Sequence, residues 1–277
     1  MRLLKNGDRP FHLGPFPLEV LPHDDGIATG EINRVRIGPD HDRTPHMMLG
    51  SALREYRDIF AQVAEGEVAP ETAPDTDDPD RSTVDIKGAA YFMDASQVGI
   101  CLIPDSAWRE NESPDGNNLA IVILLEHQRI PQDEPLSESW ISNNLVEMAE
   151  MRATEIAGNL SGHIRLMGYN ARVDLPGSRR LDEERLAVLA GLAVRKRDGT
   201  LANPYLDKFT LVVVSTDYTL TCDRPLARNS LGAKGLRYWW GINDAQSGRE
   251  RYRRAKRPSW ASRYPMETVK RIDRPTT

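Results

Sequence analysis

Three continuous apolar runs constrain this chain more than any other feature. Val98–Ile103, Leu119–Leu125 and Phe209–Thr216 hold few polar residues, and the first two are bounded by turn signals. A strand with one wet face alternates between apolar and polar residues, whereas a strand without alternation is covered on both faces. The chain must therefore cover both sides of one sheet. Its strongest helical pattern, Pro135–Gly168, suits that task. Ile141, Leu145, Ala149, Ala153, Ile156, Leu160, Ile164 and Met167 recur in steps of three and four, and Gly168 is a natural stop. Gly158 and Gly162 each weaken this helix by roughly 1 kcal/mol relative to alanine, so close approach of a neighbouring backbone is expected there.

Shorter elements surround these. Met47–Ala64 carries Leu49, Leu53, Tyr56, Phe60 and Val63 at helical spacing, a helix packed on the surface. S-T-V-D from Ser82 has the form of a capping box opening a helix to about Gln97. Asn170–Leu175 reads as a strand. Asp182 can cap a helix that carries Glu183 and Glu184 in its first turn and ends near Gly191. Glu65–Asp80 is acidic and contains Pro70, Pro74 and Pro79, which predicts a mobile loop without a helix. Pro104–Asn118 is a second loop. A strand is expected at Glu31–Ile37 and a short helix around Gln246–Ala255. Helices and strands thus share one sheet in an α+β, α/β-like class. The expected organisation is an irregular arm over 1–45, an α+β domain over 46–227 and a basic aromatic tail over 228–277.

Composition excludes some functions. The chain has 277 residues and no apolar run near the roughly 20 residues of a membrane helix, and its opening residues, without an apolar stretch or a twin arginine, are expected to carry no export signal. A cytoplasmic protein is the expectation. Cys101 and Cys222 read as buried free thiols, and two cysteines cannot ligate a four-cysteine iron–sulfur cluster. From Arg228 onward 13 Lys and Arg face 4 Asp and Glu, a net +9, while the rest of the chain carries −14. Such asymmetry marks an interaction tail. Tyr238, Trp239, Trp240, Tyr252, Trp260 and Tyr264 are interleaved with the basic residues. That pattern suits single-stranded nucleic acid, and equally an arm wrapping an acidic neighbour.

No nucleophile elbow, phosphate loop or dinucleotide fingerprint is present. His41 and His46 flank Asp42, Arg43 and Thr44, a gap too unspecific to define a metal site. His127 closes a strand, where it can carry a proton, and His163 lies in the long helix. Asp94, Asp105 and Glu126 fall near strand ends, where acid–base groups often stand, but no spacing pairs them.

The segment Glu184–Asp217 is the most specific. Its run L-A-G-L-A-V-R-K-R-D-G-T-L-A-N-P resembles the A-G-L-G-x-x-G-[RK]-x-G-L-L-x-x-P segment of the reductive dehalogenases and of epoxyqueuosine reductase. Ala190, Gly191, Leu192, Gly199, Leu201 and Pro204 match, whereas Ala193 and Lys196 stand where the family has glycines. The resemblance extends from Asn33 to Thr277 through D-I-K-G-A-A-Y-F-M-D-A-S-Q-V-G-I-C-L-I-P-D-S-A-W, I-x-x-x-G-Y-x-A-R at Ile164–Arg172 and the closing R-Y-P-M-E-T-V-K-R-I-D-R-P-T-T.

The resemblance implies a nitroreductase-like mixed sheet covered by helices. It also implies the first half of a catabolic, non-exported reductive dehalogenase, a degenerate copy of the cobalamin domain that leads into the true one. The family's cysteine clusters and its catalytic tyrosine with a Lys or Arg partner have no counterpart here. On this basis the chain is a non-catalytic interaction domain that binds no cofactor itself and packs on a cobalamin/iron–sulfur catalytic half. The alternatives are a cobalamin- or flavin-binding oxidoreductase using Gly191, Ala193, Lys196, Gly199 and Asn203, and a nucleic-acid binder acting through the tail. A homo-oligomer is compatible with each.

Overall fold

The three apolar runs are strands of one sheet. The computed structural model describes residues 11–14, 16–34, 48–74, 76–109, 116–128, 144–176 and 180–235. In chain order the elements are helices α1 (Gly26–Ile32), α2 (Met48–Ala61) and α3 (Pro79–Phe92), strands β1 (Gln97–Leu102) and β2 (Leu119–Glu126), and the long helix α4 (Leu145–Leu166). Strand β3 (Ala171–Asp174), helix α5 (Glu183–Leu189), the two-residue strands β4 (Val194–Arg195) and β5 (Leu201–Ala202), and strand β6 (Phe209–Thr216) follow. The main sheet runs β1-β2-β6-β3 and every pairing in it is antiparallel. The α+β class is as expected, and no parallel pair occurs among the described strands.

The absence of alternation has its cause in two cores. Ile100, Ile121, Ile123, Val212 and Val214 face one side, where Ile86 of α3 and Ile156, Leu160 and Ile164 of α4 cover them. Cys101, Ala120, Val122, Leu124 and Val213 face the other, against Leu186 and Leu189 of α5, Leu192 and Tyr205. Phe16 and Leu21 near the chain start and Leu226 beyond the last strand are buried in this second core. β1 is an edge strand, yet its backbone is satisfied. Asp223 N–H donates to the Ile100 carbonyl at 2.8 Å, and Ile100 N–H donates to Asp223 Oδ2 at 2.7 Å.

Several boundaries differ from expectation for local reasons. α3 begins at Pro79, not Ser82, because the Asp78 carboxylate accepts from Asp80 N–H and Arg81 N–H at 3.0 and 3.2 Å. Ser82 lies one turn inside, buried, with its hydroxyl accepting from Tyr218 OH at 2.6 Å. Glu31 and Ile32, expected in a strand, close helix α1 instead, and residues 35–37 lie outside the described residues. The expected long helix is described from Leu145 onward, and its first part and the helix expected at 246–255 fall outside. Of the loop expected over Glu65–Asp80, the described residues up to Asp78 form neither helix nor strand, but Pro79 and Asp80 open α3, where proline suits the first turn. The loop is nonetheless bonded to the end of α4, with Ala69 N–H on the Arg165 carbonyl and Ala73 N–H on the Met167 carbonyl. Gly168 (φ +88°) has no room for a side chain, since a Cβ would meet the Glu71 carbonyl oxygen at 2.6 Å. Gly158 lets the end of α2 approach, its Cβ position lying 3.6 Å from the Phe60 carbonyl oxygen and 3.0 Å from Cγ2 of Val63 just past the helix, whereas the Cβ position of Gly162 meets only Arg165 Nη2, at 3.8 Å. Among the described residues no helix is long and apolar enough to cross a membrane.

Candidate functional site

The glycine-bearing segment is built upward from α5. Asp182 caps this helix, its Oδ1 accepting from Arg185 N–H at 3.1 Å. Gly191 ends it in the left-handed region (φ +68°), which an L side chain resists. A Cβ there would lie 2.3 Å from the carbonyl oxygen of Arg224. The close approach that glycine permits is thus taken by the chain's own backbone. Leu192 and Ala193 are fully buried in the second core.

Beyond them, β4 and β5 form a hairpin that the sequence offered only as a basic loop. Lys196 and Gly199 make its turn, Lys196 N–H bonding the Thr200 carbonyl at 2.9 Å and Gly199 N–H the Lys196 carbonyl at 3.1 Å. Both residues are exposed, and Gly199 has φ +86°. Asp198 holds the turn by accepting from the Thr200 hydroxyl and amide, chiefly the hydroxyl, and this draws its carboxyl below the usual range.

Asn203 is buried and fully engaged. Its Nδ2 donates to Gln97 Oε1 at 2.5 Å and to the Leu192 carbonyl at 2.6 Å, and its Oδ1 accepts from Tyr205 N–H and Leu206 N–H at 2.7 and 2.8 Å. These four bonds use its whole capacity. Of the five expected cofactor residues, only Gly191 lines the cleft beside the segment. Ala193 and Asn203 are inside the fold and Lys196 and Gly199 are on the hairpin tip.

That cleft, about 340 Å³, lies between His12, Leu18, Lys87, Tyr91, Gly191 and Cys222. Lys87, Asp223 and His23 among its lining serve the fold. Lys87 Nζ pairs with Asp223 Oδ1 at 2.6 Å, while the other oxygen of Asp223 holds the β1 edge. His23 Nδ1 donates to the Arg224 carbonyl at 3.0 Å, which fixes the proton on Nδ1 when the ring is neutral. Cys101 is buried as expected, but Cys222 is exposed, not buried; partial desolvation, with Asp223 next in effect, raises its thiol, so it stands protonated and weakly nucleophilic at neutral pH.

The remaining sequence candidates are dispersed. His127 Nε2 meets Thr210 Oγ1 at 2.9 Å, and burial lowers its pKa. His163 and Asp105 are exposed. Asp94 pairs with Arg152 at 3.4 Å. Asp94 and Glu126 stand at one end of the β1–β2 pair and Asp105 at the other. His41 and His46 and the aromatic tail from Leu236 lie outside the described residues. Among those described, no three His, Cys, Asp or Glu side chains are grouped to hold a metal.

Two charged clusters escaped the sequence reading. Glu31, 5% exposed, receives Arg195 Nη2 at 2.7 Å and Arg34 Nε at 2.7 Å, and Arg34 reaches Asp182 at 3.1 Å. Arg185 donates to the backbone carbonyls of Ile32, Ser106 and Arg34. The arginines of the basic loop therefore include a structural clamp on α1. The second cluster centres on Glu183, whose Oε1 is buried and finds no hydrogen-bond partner among the described residues. Burial, with Asp174 next in effect, pushes its carboxyl well above the ordinary value. The first cluster leaves no sequence signal because Glu31 and Arg195 are far apart in the chain, and the second leaves none because the burial of Glu183 depends on tertiary packing.

No family model matches the chain, and no curated protein matches it. The solved structures decide the relationship. The chain is similar to a reductive dehalogenase along its whole length. The catabolic reductive dehalogenase NpRdhA, in complex with 3-bromo-4-hydroxybenzoic acid, is 38% identical with a TM-score of 0.72, over 100% of this chain and 39% of that one. A reductive dehalogenase structure described for B12-dependent dehalogenation is 38% identical with a TM-score of 0.71, over the same shares. The chain thus spans about two fifths of the length of the dehalogenases it matches. More distantly, epoxyqueuosine reductase from Bacillus subtilis is 14% identical over 62% of this chain and 55% of that one, with a TM-score of 0.39.

Proposed function

We propose that this chain is a non-catalytic structural and interaction domain of a reductive dehalogenase-like protein. It packs on a cobalamin/iron–sulfur catalytic half that reduces organohalides, and the half follows it in one chain or accompanies it as a subunit. The observation that carries this reading is the state of the glycine-bearing segment. The bare backbone at Gly191 is pressed against Arg224, the Asn203 amide is saturated by the chain itself, and Ala193 is a core residue. Such residues do not fit a corrinoid, which needs open backbone and unspent donors on one surface. A domain with the fold of the family and a filled loop contributes surface and support, the role of a vestigial copy.

A second reading, an oxidoreductase binding cobalamin or flavin in its own right, draws support from the cleft beside Gly191. The two readings part in one measurement. The purified chain is mixed with cobalamin or with flavin, desalted, and its visible absorbance recorded. Loss of the chromophore is expected; stoichiometric retention of either overturns the non-catalytic reading.

A further inference from the structure

The outer edge of β1 brings Cys101 and Cys222, the two cysteines of the chain, to one place. Beyond β6 the chain is tied to α3, with Thr221 N–H donating to Thr83 Oγ1 at 2.7 Å and the Thr221 hydroxyl to Asp80 Oδ1 at 2.5 Å. It then follows β1 in the opposite direction. Leu102 N–H lies near the Cys222 sulfur, and Asp223 exchanges two bonds with Ile100. The Arg224 carbonyl rests on Gly191, next to the Ala190 carbonyl that fills the space at Gly99. Cys222 therefore stands across from Cys101. Residues opposed across an antiparallel edge have Cα atoms about 4.5–5.5 Å apart and side chains on one face. A disulfide spans Cα distances of about 4.4–6.8 Å. The faces agree as well. Cys101 and Gly99 share one face of β1, and Ala190 and Leu192, which meet Gly99 there, line the cleft together with Cys222. Access to the two sulfurs differs. Cys222 is exposed at the cleft, whereas Cys101 is 3% exposed with its Sγ 3.6 Å from the Leu186 carbonyl.

We infer that Cys101 and Cys222 are a disulfide-forming pair, a redox latch that fastens residues 222–224 to the edge of β1. The oxidant is a low-molecular-weight disulfide that enters through the cleft. The Cys222 thiolate attacks one of its sulfurs, which forms a mixed disulfide and expels one thiolate. The Cys101 thiolate then attacks Cys222 Sγ and expels the second. Each cysteine sulfur gives up one electron, the oxidant takes both, and the two cysteine protons end on the released thiols. Burial first, and Cys222 next, raises the Cys101 thiol well above its ordinary value, so both thiols rest protonated and the exchange is slow. A fold that does not stabilise the thiolates of a pair gives a disulfide that resists reduction. Once closed, the latch holds the Arg224 carbonyl against Gly191, so oxidation keeps the glycine loop filled.

Thiol titration of the folded chain at mildly alkaline pH tests this, with dithiodipyridine as the oxidant. Release of two equivalents of thiopyridone per chain is expected, with no label left on the protein and a peptide map that joins Cys101 to Cys222. A chain that keeps a label on Cys222, or carries one on each cysteine, overturns the inference, and so does a disulfide between two chains. These outcomes are read on the unmodified protein, so they stand whether or not a variant folds. Cys101→Ala is expected to release one equivalent and to keep its label on Cys222; complete loss of the label from this variant overturns the pairing. Cys222→Ala is expected to slow the release about tenfold or more, because Cys101 is buried. Release from that variant at the unmodified rate overturns the order of attack. Hydrogen exchange then tests the latch. The Asp223 amide, which donates to the Ile100 carbonyl, is expected to exchange about tenfold more slowly in the oxidised chain than in the reduced one. Equal exchange in the cross-linked protein overturns the fastening role.

Discussion

Asn203 shows how a residue with a ligand-like composition becomes structural. An amide beside a glycine-rich loop is a natural donor for a cofactor, and its place in the motif made it a candidate. Here each of its atoms serves the chain, and its neighbours are buried backbone groups. Asn203→Ala leaves Tyr205 N–H, Leu206 N–H and the Leu192 carbonyl without this partner. Urea unfolding is expected to show a loss of about 3 kcal/mol, the cost of stranding buried polar groups. A change below about 0.5 kcal/mol contradicts this account of the residue. Glu183 makes an electrostatic prediction. Its folded-state pKa is raised above the ordinary 4.5 by burial first and by Asp174 next. The stability it contributes is therefore fully present below pH 4.5 and is lost as pH rises toward the folded-state value. Glu183→Gln is expected to flatten the fall in melting temperature between pH 4.5 and neutrality and to raise the neutral value. An unchanged slope refutes it.

At the scale of elements, a start signal was legible but its position was not. Ser82 and Asp78 are both good caps by type, and S-T-V-D favoured the serine. Pro79 tips the balance, because proline suits the first turn and needs no hydrogen bond there. Asp78→Ala is expected to cost about 1 kcal/mol and to speed hydrogen exchange at the Asp80 and Arg81 amides. Ser82→Ala, which removes the bond with Tyr218, is expected to leave that exchange unchanged. Equal acceleration in both variants rejects Asp78 as the cap. The β4–β5 hairpin went unread because two-residue strands carry no periodicity. α1 was missed because its seven residues are held by arginines from distant parts of the chain. The strands β2 and β6 were legible nearly to the residue, since continuous apolarity bounded by turns is a local property.

For the whole molecule, the long apolar runs by themselves determined a sheet buried on both faces, and the helical periodicities determined what covers it. The motif around Gly191 carried the relationship to reductive dehalogenases, now seen at 38% identity along the full chain. These features are local in sequence, so each can be read before any contact is known. Only the tertiary structure decided what fills the glycine loop. The carbonyl that occupies the space at Gly191 belongs to Arg224, and the carboxylate that binds Arg195 belongs to Glu31. It also decided which face of α2 meets α4, the one from which Arg57 reaches Glu150 at 2.6 Å. Which face a helix buries depends on where its partner lies, and that position is set by the summed packing of distant segments, not by the helix's own pattern.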